Sequence, residues 1–173
     1  PLVFREWHYT LGASKFKTKS HYGYSFGLYT HGHCKDATFY ARSVKMKLVV
    51  LSSTEAEYVG LTEVCKEQKF LCMLLSEVFE TDLLSVIYED NEATTYLAKN
   101  KHVSSRTKHI DIRQHYVREH LSDELAEIKK IDSANNYADI LTKNTSVGIF
   151  ERLSKCILSG FEGHENKFVF SQY

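Results

Sequence analysis

LSSTEAEYVGL, Leu51 to Leu61, is the stretch from which the rest of the chain can be placed. Ser52, Ser53 and Thr54 offer side-chain oxygens to the first free amides of a helix, and Glu55 and Glu57 follow where the helix dipole favours negative charge. Apolar residues then recur at three-to-four spacing: Leu61, Val64, Phe70, Leu71, Leu74, Leu75, Val78 and Phe79. That period predicts one long amphipathic helix. Cys65 and Cys72 fall within it and are expected as buried thiols.

Upstream, the first 50 residues are aromatic and rich in strand-forming side chains. His21 to Thr30 (HYGYSFGLYT) and Ala37 to Arg42 (ATFYAR) read as antiparallel strands around a turn at Gly32, with Trp7 to Leu11 as a preceding strand. Downstream, LLSVIY (Leu83 to Tyr88) has the length of a buried strand. Asn91 to Ala98 reads as a short helix, Thr107 to Leu121 as a longer polar helix and Leu125 to Ile131 as a last strand. Tyr137 to Thr142 opens a final helical region that Phe150 to Leu158 continues. Three meandering strands followed by strands joined through helices predict a mixed α/β architecture.

The 173 residues suit one domain with its own core, expected over residues 1–160, with 161–173 as an unassigned tail. Lysine plus arginine equals aspartate plus glutamate at 22 each, which argues against nucleic-acid binding driven by overall charge but leaves room for a local basic stripe. The four cysteines form no CxxC pair, so a reduced, intracellular setting is expected. No apolar run approaches the ~18–20 residues of a membrane span. The start at Pro1, without an initiator methionine, reads as a fragment of something longer.

Three acids stand where solvation alone explains a carboxylate poorly. Glu57 lies in the first turns of the long helix, Asp90 follows the buried strand, and Asp139 begins a helix in YADILTK. Strand ends and helix starts meeting at one sheet edge can gather such acids into the hard oxygen environment that Mg²⁺ prefers. Each also has a purely structural explanation. Glu57 and Asp139 could complement helix dipoles, and Asp90 could cap the helix after it.

Four phrases narrow the choice. LSSTEAEYVGL (Leu51 to Leu61), IYEDN (Ile87 to Asn91), RTKHIDIRQHYVRE (Arg106 to Glu119) and ADILTK (Ala138 to Lys143) resemble, in order and spacing, the ribonuclease H region of copia-type retrotransposon Pol polyproteins. The resemblance covers about residues 20–158. It implies the ribonuclease H-like fold, a five-stranded mixed sheet (an antiparallel three-strand meander plus parallel strands) flanked by helices. It also implies hydrolysis of the RNA strand of RNA–DNA hybrids during reverse transcription, with two Mg²⁺ or Mn²⁺ ions. The implied metal-binding and catalytic acids are Glu57, Asp90 and Asp139. Reverse transcriptase and integrase regions of the same polyprotein become expected partners, in a cytoplasmic virus-like particle, with no membrane.

The family's fourth acid, at the end of the first strand, has no counterpart. Aligning on Gly12-Ala13-Ser14 puts Gly12 at that place, and aligning on Trp7 puts Phe4 there; the distance to Ser20 favours Gly12. Impaired hydrolysis is the expectation, and a non-catalytic binding module from a decayed or repurposed element is the alternative. Lys101, Arg106, Lys108, His109 and Arg113, with Lys99, His102 and Arg118 nearby, form a basic phrase suited to phosphate contact or to a solvated helix face. His109, Asp111 and His115 lack helical ligand spacing, and HGHC (His31 to Cys34) lacks a fourth ligand, so both read as structural rather than zinc-binding.

Overall fold

The alternating aromatic segments at the start of the chain become a meander. In the computed structural model, which describes residues 4–14, 20–30, 37–80, 84–100, 111–122 and 126–158, strands β1 (Phe4–Ser14), β2 (His21–Thr30) and β3 (Ala37–Lys45) pair antiparallel in sequence. β4 (Leu84–Glu89) then lies parallel to β1, and β5 (Ala126–Lys130) parallel to β4. The sheet order is β3-β2-β1-β4-β5, so β1 is central and its end lies beside the end of β4. This is the expected five-stranded mixed sheet. β1 runs past the predicted Trp7–Leu11 at both ends, which carries Gly12 into the sheet.

Helix α1 (Ser53–Phe79) begins as its sequence requires. Ser52 Oγ accepts from the Glu55 amide at 3.1 Å, while Glu55 Oε2 accepts from the Leu51 amide at 2.6 Å. The first bond satisfies a donor that the first helical turn leaves free, and the second ties the residue before the cap back onto that turn. Leu61, Val64 and Cys65 of α1 pack with Leu11, Ala13, Tyr22, Tyr24 and Phe26 of the sheet to form the main core. Beyond that core the helix outruns the sheet. Leu71 and Leu75 are partly buried, but Phe70, Leu74, Val78 and Phe79, expected on the core face, are exposed. Twenty-seven residues make a helix of about 40 Å, roughly twice the reach of the six-residue β4. Cys65 is buried as expected, whereas Cys72 is only partly so.

Three further α-helices are described: α2 (Glu92–Lys99), α3 (Asp111–Ser122) and α4 (Val147–Leu158). The predicted start of α3 at Thr107 lies outside the described residues, as do the Gly32 turn, the HGHC motif and the tail. The final helical region is not continuous. Tyr137–Leu141 forms a separate 3-10 helix, closed by amides of Thr142 and Lys143 donating to the Asp139 carbonyl at 3.1 and 2.8 Å. Asn144, Thr145 and Ser146, all weak helix formers, then separate it from α4. No described helix is long and apolar enough to cross a membrane.

Candidate active site

Glu57, Leu61, Val64 and Gln68 share one buried stripe of α1, at successive intervals of four, three and four residues. The stripe faces the sheet, and Glu57 is its first member, next to the ends of β1 and β4. On β4 the two-residue period puts Ser85, Ile87 and Glu89 on a common face, and Gln68 Nε2 donates to Ser85 Oγ, which identifies that face as the α1 side. Glu89 therefore points at Glu57. Oxygens of Glu57, Glu89 and Asp90 lie within 4.8 Å of one another.

Glu89 is fully buried, with Oε1 accepting from the Asn91 amide at 2.9 Å. Its Oε2 has no hydrogen-bond partner, and neither does the buried Oε2 of Glu57. Burial pushes Glu57 up to about 7; its contact with Glu89 counteracts this and the Asp90 charge adds to it. Burial, then the Glu57 charge, pushes Glu89 well above the carboxylate range. Asn91, not Asp90, caps α2, its side chain accepting from the Thr94 amide at 3.1 Å. Asp90 is thereby left to face the cluster.

Asp139 approaches the same cluster from another element, close enough that the Asp90 charge acts on it. It comes from the 3-10 helix, and Lys143 Nζ donates to its Oδ1 at 2.7 Å. Burial raises the Asp139 carboxyl, against the pull of Lys143. The 3-10 helix sits on two glycines paired across the sheet, Gly12 of β1 and Gly23 of β2. A β-carbon at Gly12 would fall 2.9 Å from Asp139 Oδ1 and 3.2 Å from the Ala138 carbonyl carbon. One at Gly23 would fall 2.7 Å from Leu141 Cβ. Ser43 Oγ on β3 donates to the Leu141 carbonyl at 2.5 Å, and Asn136 secures the other end. The buried Asn136 amide donates to the Leu11 carbonyl at 2.6 Å and to Asp90 Oδ1 at 3.1 Å, while its Oδ1 accepts from the Ala138 amide.

No family model matches the chain. It is 41% identical over 110 residues to the retrovirus-related Pol polyprotein from transposon TNT 1-94 of Nicotiana tabacum, covering 64% of this chain and 8% of the relative. With the corresponding polyprotein from transposon RE2 of Arabidopsis thaliana it shares 36% identity over 116 residues, 66% of this chain and again 8% of the relative. Among solved structures, LC11-RNase H1 from a compost metagenome superposes with a TM-score of 0.60 at 13% identity, covering 80% of this chain and 93% of that one. Its complex with an RNA/DNA hybrid gives 0.55 at 14% identity, covering 79% and 92%. RNase H1 from Halobacterium salinarum gives 0.55, also at 14% identity, covering 79% and 94%. The chain has the ribonuclease H-like fold and is homologous to a segment of retrotransposon Pol polyproteins, of whose length it spans about 8%.

In this ribonuclease H-like domain, Glu57 and Asp90 come together with Glu89, which the sequence reading passed over, whereas Asp139 is turned toward Lys143 and Gly12. The residues fit one hard divalent cation: three carboxylates converge, and two buried oxygens lack donors. A second ion would have to draw on Asp139, whose Oδ1 is engaged by Lys143, beside a position 12 that offers no side-chain oxygen. Of the basic residues, Lys101, Arg106, Lys108 and His109 lie outside the described residues, and Arg113 is partly buried on α3. Arg118 donates to the Leu97 carbonyl and to Gln114 Oε1, at 3.3 and 3.1 Å, and so ties α3 to α2.

Proposed function

We propose that this domain binds an RNA–DNA hybrid and that its hydrolysis of the RNA strand is impaired at Gly12. The observation that carries the reading is the contact at that position: where the family resemblance places a first-strand carboxylate, Gly12 lets the 3-10 helix rest with Asp139 Oδ1 2.9 Å from the β-carbon position. The hybrid enters as substrate because the similar LC11-RNase H1 was solved in complex with an RNA/DNA hybrid. Divalent cations, Mg²⁺ or Mn²⁺, activate water and stabilise the leaving oxygen when bound in such a site. Glu57, Glu89 and Asp90 are the residues placed to hold a cation here, and Lys143 neutralises Asp139. Lys101, Arg106, Lys108, His109 and Arg113 supply phosphate contacts, which makes hybrid affinity fall with salt. The reverse transcriptase and integrase regions of a Pol polyprotein are the natural partners, and a cytoplasmic particle the setting.

A binding module without catalysis is the second reading, favoured by the Lys143 contact on Asp139. A labelled hybrid separates the two. The unaltered chain is expected to bind the hybrid in a salt-dependent titration and to cut it far below an active ribonuclease H, with Gly12→Asp raising cleavage to a measurable but still submaximal rate. Cleavage by the unaltered chain at the control's rate overturns the proposal.

A further inference from the structure

We infer that Glu57, Glu89 and Asp90 form a single-cation site in which Glu89, the last residue of β4, supplies the third carboxylate in place of a first-strand ligand. The site is composed of this chain's own oxygens and holds whether or not the hybrid is cut. Its three oxygens lie within 4.8 Å of one another, and ligands at about 2.0–2.6 Å from a hard cation stand up to about 4–5 Å apart across it. The second observation is independent of the clustering. Glu89 is completely buried, its Oε1 is fixed by the Asn91 amide, and its Oε2 has no donor; Glu57 Oε2 is buried and equally unpartnered.

A carboxylate buried at a strand end normally finds an arginine, a lysine or a set of amides. Among the described residues, Lys143 acts on Glu57 and Asp90 but makes its ion pair with Asp139. Asp90 is held in place from the other side by the Asn136 amide. The donor set is all oxygen and anionic, which selects Mg²⁺, Mn²⁺ or Ca²⁺ over the softer metals. Position 89 thus sets both the stoichiometry and the place of the ion, on the α1 side of the sheet end.

Calorimetric titration with Mg²⁺ and Mn²⁺, together with Mn²⁺ paramagnetic resonance, tests the site on the full chain. One ion per chain is expected. Glu89→Gln, which keeps side-chain volume and removes a buried charge, should weaken Mn²⁺ binding by about tenfold or more. Asp139→Asn should change it by less than about twofold, since Asp139 lies outside the trio. Circular dichroism establishes that each variant is folded, and Asp90→Asn provides the same loss from a partly exposed position should Glu89→Gln not fold. Binding of two ions, no saturable binding at millimolar Mn²⁺, an unchanged affinity in the folded ligand variant, or an equal loss in Asp139→Asn overturns the inference.

Discussion

Glu57 and Glu89 face each other with one donorless oxygen apiece, and in the metal-free chain a proton is the nearest cation that can relieve them. Both carboxyls are raised by burial, Glu57 from 4.5 to about 7 and Glu89 well above 4.5, with Asp90, Lys143 and the Asn91 side chain also acting on Glu57. A folded-state pKa above the unfolded one means that the native state holds protons more tightly. The pair's contribution to stability is therefore full below about pH 4.5 and is lost as pH rises through 7 and beyond. Urea melts of metal-free chain at pH 5 and pH 8 should show lower stability at the higher pH. Glu89→Gln should flatten that slope; an equally steep slope in the variant would place its origin elsewhere. Gly12→Asp belongs to the same scale. It should cost about 1–3 kcal/mol without metal, because the new side chain must displace Asp139 and the Ala138 backbone. Thermal shifts with and without Mn²⁺ measure the cost and any recovery. Asp90 was legible from its place after a buried strand. Glu89 was readable in principle, since alternation along Ser85, Ile87 and Glu89 turns it toward α1, but an acid at a strand end reads by default as solvated.

At the level of elements, the long helix was the easiest to read and the 3-10 helix the hardest. Ser52 and Glu55 specify the start of α1 within four residues, so local chemistry sufficed. YADIL has helical composition, yet its conformation depends on what it sits on: two glycines and the carbonyl of Leu11, each more than a hundred residues earlier in the chain. Asn136 makes that dependence concrete, because one amide group holds β1, Asp90 and the 3-10 helix together. Asn136→Ala should destabilise the fold by about 1–3 kcal/mol, read as a lower urea midpoint at unchanged slope. It should also weaken Mn²⁺ binding through loss of the Asp90 contact. A change in neither would remove Asn136 from any positioning role.

For the whole molecule, the meander of β1 to β3 follows from sequence neighbours, while the parallel pairing of β1 with β4 joins residues 78 positions apart and no local period encodes it. The family resemblance supplied that pairing. The core extends across these distant elements through Gln68, which bonds Ser85 on β4 and His120 on α3, the latter at 2.9 Å. Gln68→Ala should cost about 2–4 kcal/mol by leaving buried polar atoms without their partner and opening a gap beneath α1. Equilibrium unfolding followed by both fluorescence and circular dichroism would show whether the loss is felt in one cooperative transition, as this shared network requires. The pair of glycines under the 3-10 helix carries a historical implication. A carboxylate at position 12 and the present seat of Ala138 and Asp139 occupy the same space, so a single codon change returns the side chain without returning the room for it. Full recovery of a ribonuclease from this sequence should need a companion substitution beneath the helix, such as Ala138→Gly, and the order in which the two are made should matter.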